Sequence, residues 1–369
     1  MIPSTFVGSV VPTATASSVG TVVPTPTPAA AAASAIPIEE AEYRTGLATV
    51  AFITLLFASN SPALRSAFTS VSVVPPVLLV NAIAGSTAIT SLLLGGPLLA
   101  SMTAPPSTLA PDASDSLDEV SLRAGLELGT WKTLGTAANL LGLSLTSAGH
   151  GAFLVQLTTL IVPLVQGSQG VAIPKRIWGA VGLALVGLCI FTLDPSGADG
   201  GASLPGDAAC VLAALCYAAY DLRLFVWGRR VAPLTLITTK VAAQACLSLA
   251  ALALFGRAEA TAFLAAASPE DLATLAPLLL WSGVVVNGVA PFLQVGGQQA
   301  IGPARAQVVY ASGPLWAALL SLVFLGETVG PQGALGGGAF LSAVFLAASA
   351  DPEGAVVPEG GEEEGAPDR

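Results

Sequence analysis

The sequence predicts an all-α membrane protein of ten transmembrane helices, arranged as two inverted five-helix repeats. Three observations carry this expectation. The 369 residues are 53% hydrophobic and only 10% charged, whereas a soluble domain carries about 25% charged residues. Apolar stretches long enough to cross a bilayer succeed one another between residues 46 and 350, separated by Pro, Gly, Ser and charge. The order of features in the first five stretches recurs in the second five, as in inverted-repeat membrane proteins.

Composition excludes several alternatives. Mean hydropathy is +0.77, and a soluble helical protein would need polar helix faces that few segments here possess. Aromatic residues make up only 6% while Gly reaches 39, which suits close helix packing in lipid. The net charge of −10 comes largely from the tail Asp351–Asp368 and from Asp112, Asp115, Asp118 and Glu119. Acidic blocks of this kind are solvated segments. No basic, aromatic-interleaved patch points to nucleic acid. Cys189, Cys210, Cys216 and Cys246 lie in apolar stretches without a CxxC pair, so they read as small packing residues.

Along the chain, residues 1–44 read as a disordered leader, charge-free to residue 38. A secretory signal would begin with a basic region, and a transit peptide would be Arg-rich. The predicted spans are 46–64, 75–100, 125–146, 149–168, 175–194, 205–226, 232–256, 274–294, 304–325 and 331–350. They divide into a first repeat over 45–196 and a second over 204–350, with an acidic disordered tail over 351–369. Basic residues test this map. With the N-terminus in the cytoplasm, Arg44, Arg123, Lys175, Arg176, Arg223, Arg229, Arg230 and Arg305 fall on the cytoplasmic side, and only Arg65 and Arg257 oppose them. That is the bias expected of a correct span count and orientation. Both termini are therefore expected in the cytoplasm, or in the stroma if the membrane is a plastid's. Plastid, Golgi and plasma membranes all fit.

The two halves can be aligned by feature. Leu141 to Ala152 lines up with Gly296 to Gln307, and Trp178–Gly179–Ala180–Val181–Gly182 with Gln332–Gly333–Ala334–Leu335–Gly336. Five spans per half is an odd number, so the second half must insert upside down, and a site is expected near the midplane between the halves.

At these residues the chain resembles the EamA-like branch of the drug/metabolite transporter superfamily. The resemblance runs through Thr146 to Leu164, through Pro303–Ala304–Arg305–Ala306, Gly313–Pro314–Leu315–Trp316 and Leu325–Gly326–Glu327, and through Ala58–Ser59–Asn60–Ser61–Pro62. It covers about residues 46 to 350. Two features depart from the family pattern: Asn81 stands where the second helix often has Arg, and Gly170–Val171–Ala172 lacks the acid that often ends the fourth helix. The resemblance implies a secondary transporter moving a small polar metabolite by alternating access. An amino acid, an organic anion and a phosphorylated or nucleotide-linked solute are all open as substrates. A non-transporting membrane scaffold that keeps the fold is the alternative.

Several polar residues within the apolar stretches are candidates for binding. Lys240 lies nine positions beyond Val231, about 13 Å deep in a straight helix, where a cation faces a cavity or a partner. The resemblance places Asn139, Gln156, Asn287 and Tyr310 on helices that line a central cavity. Glu327, at the end of the ninth span, is a candidate for proton coupling. Lys132 is expected to snorkel to the interface, and His150 to sit in an exposed turn. Gly333 and Gly337 form a GxxxG pattern suited to packing within the chain or in a homodimer. There is no nucleophile motif, no phosphate-binding loop and no metal-ligand spacing, so neither cofactor nor enzymatic activity is expected. Partners reduce to the bilayer and a small-molecule substrate.

Overall fold

The computed structural model describes residues 40–103, 105–145, 154–192, 204–326 and 330–349. Residues 1–39, the tail from residue 351, His150 and Glu327 lie outside these residues; residues 40–44, expected as the end of a disordered leader, are helical instead, because they continue the apolar helix that follows. All the described residues belong to one compact unit, Ile36–Arg369. Among them the helices form α1 (Glu40–Thr69), α2 (Val77–Ser101), α3 (Glu119–Leu145), α4 (Thr158–Ser168), α5 (Lys175–Thr192) and α6 (Leu204–Trp227). Then come α7 (Pro233–Ala266) and α8 (Pro269–Ile301), each with a π-helical stretch, at Leu252–Gly256 and Trp281–Val289. Next, α9 runs over Pro303–Tyr310 and Gly313–Leu325, and α10 over Pro331–Ala348. No strand occurs among the described residues; a single bridge joins Ser114 and Val231.

Six of these helices, α2 and α6 to α10, are long and apolar enough to cross a membrane. The 25 residues of α2 span about 37 Å, more than the roughly 30 Å of a hydrocarbon core. By contrast, α3 carries Glu119, Arg123, Glu127 and Lys132, and two of these face neighbouring helices. Polarity is inverted relative to a soluble protein. Leu94 and Phe255 are 82% and 79% exposed, while Lys240 and Gln298 are 1% and 0% exposed. Only an apolar solvent makes that distribution stable, and the chain is a multi-pass membrane protein.

The strongest helix pairings join the first five helices to the last five: α3 with α6 and α7, α5 with α10, α1 with α8 and α9, α2 with α7 and α8, and α4 with α6 and α9. The halves therefore interleave around shared cores instead of packing as two lobes. One core gathers Leu128, Leu224, Leu236, Ile237, Val241 and Phe292. Another gathers Ile177, Val181, Leu188, Val308 and Ala343.

Two backbone features position the polar side chains inside the bundle. On α3, a Cβ at Gly129 would lie 2.9 Å from the Lys240 carbonyl oxygen, and one at Gly125 would lie 2.6 Å from the Thr239 carbonyl carbon. These glycines let α7 approach closely and bring Lys240 against α3. Between α8 and α9 the chain reverses at Gly302 (φ 79°, ψ 155°) ahead of Pro303. The positive φ needs glycine, and a residue before proline avoids the helical region. The reversal puts the ends of α8 and α9 side by side. The Gly337 half of the GxxxG pattern is absorbed within the chain, where its added Cβ would meet Leu315 of α9 at 2.6 Å.

The connection after α2 is tied to the same end of the bundle. Thr108 Oγ1 donates to Gln299 Oε1 (3.0 Å), and Thr235 Oγ1 donates to the Asp115 carbonyl (2.9 Å). Backbone bonds join Ala110 to Arg229, Ser114 to Arg230 and Ala232 to Ser114. Asp118 then opens α3. Its Oδ1 accepts from the Ser121 N–H (2.8 Å), and Ser121 Oγ accepts from the Asp118 N–H (3.0 Å), a reciprocal capping pair. The Ser121 N–H and the Ser114 hydroxyl hold the Asp118 carboxyl below its ordinary range.

Candidate functional site

The buried polar groups converge at one place, where α3, α6, α7, α8 and α9 meet. Asp221 of α6 is 7% exposed. Its Oδ1 accepts from Gln294 Nε2 (3.0 Å) and Gln298 Nε2 (3.5 Å), and its Oδ2 accepts from Gln307 Nε2 (2.6 Å). Two of these glutamines come from α8 and the third from α9, so the Gly302 reversal assembles the collar. Tyr220, the preceding residue, donates its hydroxyl to Gln294 Oε1 (3.4 Å).

Two lysines flank this carboxylate. Lys240 Nζ lies 5.4 Å from the Tyr220 ring centre, and Lys132 Nζ lies 5.3 Å from the same centre and 4.7 Å from that of Tyr217. Ring faces attract ammonium groups, and a desolvated cation–π contact is worth about 2 kcal/mol. Among the described residues neither lysine has a carboxylate within 4 Å or a hydrogen-bond acceptor. Lys132 and Asp221 nonetheless interact through space, as do Lys132 and Lys240. Among the described residues Gln298 Oε1 is also buried without a hydrogen-bond partner. Buried polar atoms are almost always paired in native proteins, and the exceptions call for an explanation.

The residues singled out by sequence fall into two groups. Lys240 and Tyr310 belong to the cluster, and Asn139 adjoins it through Tyr217. The others stand apart from it. Asn287 turns onto its own helix, donating Nδ2 to the Ser282 carbonyl across the π-helical stretch (2.8 Å). Gln156, half-buried just before α4, makes no hydrogen bond to the cluster among the described residues. Lys132 does not snorkel, because the two tyrosine faces offer its ammonium a seat inside the bundle. Arg305, placed by sequence at a cytoplasmic end, is 4% exposed, with its guanidinium 5.6 Å from the Tyr43 ring centre.

Sequence reasoning did not single out Asp221, Gln298 or Gln307. Asp221 sits six residues before the end of α6, near Arg229–Arg230 in sequence. The available signal was the glutamine run. Gln294 and Gln298 are four apart and share a helix face, and Gln307 follows Gln299 within the same turn-linked segment. A second carboxylate, Glu127 of α3, meets Arg223 two residues beyond Asp221. It pairs through both guanidinium edges, the Nη2 bond being 3.0 Å, and also accepts from Trp227 Nε1 (2.9 Å).

Comparison with known proteins fits this geometry. Among curated proteins, none matches the chain in sequence. A solved crystal structure aligns with TM-score 0.61 at 17% identity, covering 83% of this chain and 98% of the other; at that identity the likeness speaks for the fold alone. Residues 204–349, from the start of α6 to the end of α10, match the model of the EamA-like transporter family. The second half of this multi-pass membrane protein is thus similar to the EamA-like transporter family, which belongs to the drug/metabolite transporter superfamily.

Proposed function

We propose that the chain is a secondary transporter for a small organic anion that also bears a hydrogen-bond donor, held between Lys132, Lys240 and the orphaned Gln298 Oε1. The observation that carries this reading is the pair of ammonium groups around Tyr220, that of Lys240 fully buried and that of Lys132 half-buried, with no ion-pair partner among the described residues. An unpaired buried cation is costly, and an anionic ligand removes that cost. Gln298 Oε1 accepts only, so the ligand bears an N–H or O–H beside its anionic group. Amino acids, hydroxy acids and phosphorylated solutes meet that description. Asn139 and Tyr310 would border the ligand; Gln156 and Asn287 would lie farther along its path.

Alternating access between two inverted five-helix halves is the mechanism we infer. Its support is the pairing pattern. Exchanging α1–α5 with α6–α10 turns α3–α6 into α8–α1, α3–α7 into α8–α2 and α1–α9 into α6–α4, and every one of these is an observed pairing. A pseudo-two-fold relation predicts that invariance. The basic residues at the Arg229–Arg230 end put that end, and both termini, on the cytoplasmic side. The sequence carries no nucleotide phosphate loop, so a gradient or exchange supplies the drive.

The test is thermal-shift screening of the detergent-purified protein against pools of amino acids, organic acids, phosphorylated sugars and nucleotide sugars, with Lys240→Ala alongside. We expect one pool to stabilise the wild type and not the variant. Equal stabilisation of both would move the site elsewhere, and no stabilisation by any pool would favour a scaffold.

A further inference from the structure

We propose that Asp221 is a proton-binding site of the carrier, and that a proton travels with the anion seated at Lys132 and Lys240. The second clause rests on the proposed transport of an anion; the first does not. The geometry points to it through the chemistry of the collar. Among its hydrogen-bond partners Asp221 has three glutamine amides and no guanidinium or ammonium. A guanidinium only donates, so it fixes a carboxylate in its ionised form. An amide offers N–H on one side and C=O on the other. Rotated by half a turn, the same side chain accepts from a protonated carboxyl. The Asp221 collar can therefore satisfy both forms with the same residues, and it already holds a spare acceptor in Gln298 Oε1. When a proton binds Oδ2, Gln307 turns to present its carbonyl oxygen; no covalent bond other than the O–H forms or breaks.

The charges around Asp221 make the exchange consequential. From α3 it faces Lys132, while Glu127 of that helix is engaged with Arg223. Beside Tyr220, α7 supplies Lys240, and α4 contributes no titratable side chain. From α8 come Gln294 and Gln298, and from α9 Gln307 and Tyr310, with Arg305 turned to Tyr43. Its own helix adds Tyr217 and Tyr220. Two lysines and one ionised aspartate leave a single net positive charge. A dianion, or a monoanion seated close to Asp221, repels the carboxylate in a medium of low dielectric. Anion binding and protonation then assist each other, and by linkage each strengthens the other equally.

Infrared difference spectroscopy of the reconstituted protein tests the proton site without any substrate. Over a titration from about pH 8 to about pH 5, we expect the C=O stretch of a protonated carboxyl to rise in the wild type and to be missing in Asp221→Asn. A spectrum that the substitution leaves unchanged over that interval overturns the proposal. A parallel arm uses proteoliposomes with labelled malate, glutamate and inorganic phosphate. If any is exchanged, wild type should concentrate it several-fold in the alkaline compartment, because the proton that travels with it runs down its gradient in that direction, and Asp221→Asn should exchange it without concentrating it. Concentration by Asp221→Asn equal to wild type would overturn the coupling. If none of the three is exchanged, the choice of substrate fails and the infrared result still decides the proton site.

Discussion

Asp221 of α6 and Glu127 of α3, which meets α6 at Arg223 and Trp227, are two carboxylates held in opposite ways. Glu127 accepts from the Arg223 guanidinium and the Trp227 indole, and its side chain is 26% exposed. Asp221 accepts from three amides and is nearly closed to solvent. The first arrangement fixes a charge and a helix register. The second holds the carboxylate by neutral amides only, with Lys132 near it and Lys240 against the adjacent Tyr220, neither lysine within 4 Å of a carboxylate among the described residues. A buried acid becomes a functional candidate through the kind of partner it keeps, more than through burial itself.

Substitutions can break that contrast. The largest effect is expected at Lys240. Lys240→Met should weaken binding of a stabilising anion by roughly 100-fold, the scale of losing one partner of a buried charge contact, whereas Glu127→Gln should leave it within about twofold by the same scale; titration calorimetry on both proteins measures the difference. Next comes Gly129→Ala, whose Cβ would press on the Lys240 carbonyl. It should destabilise the fold by about 1–3 kcal/mol through overpacking, read as a lower denaturation midpoint, and should displace Lys240 as well. Glu127→Gln should lower Tm by roughly 2–4 °C with anion binding intact; loss of binding in this variant would put the Arg223 pair inside the site.

The smallest effect is expected at the α3 cap. Because the folded protein holds the Asp118 carboxyl below its ordinary range, the cap's contribution is complete above the ordinary aspartate value and disappears as pH falls through the depressed one. Asp118→Ala should therefore lower thermal stability slightly at neutral pH and have no effect once acid has protonated the wild-type carboxyl. Melting curves at both pH values check the sign.

Much of the fold was legible because bilayer physics constrains sequence strongly. The boundaries of α2, α6 and α10 fall within a few residues of the apolar stretches, and Pro303 and Pro331 mark helix starts. The π-helical stretches in α7 and α8 left no comparable signal, since their residues are as apolar as their neighbours. The cluster was only half legible. Lys240 stood out because a lone cation in an apolar stretch is conspicuous. Asp221 did not, because it lies near the end of α6 with Arg223, Arg229 and Arg230 close by in sequence. Lys132 misled for a related reason. Its distance from the start of α3 allowed snorkelling, and only the tertiary placement of Tyr217 and Tyr220 from α6 made the interior the better seat.

The central claim is that the lysines around Tyr220 hold an anion. Its most direct test is equilibrium binding of whichever pooled anion stabilises the wild type, measured side by side on wild type, Lys132→Met, Lys240→Met and Glu127→Gln. The account predicts that both lysine variants lose binding while the folded Glu127→Gln protein keeps it. Wild-type affinity in both lysine variants would contradict it.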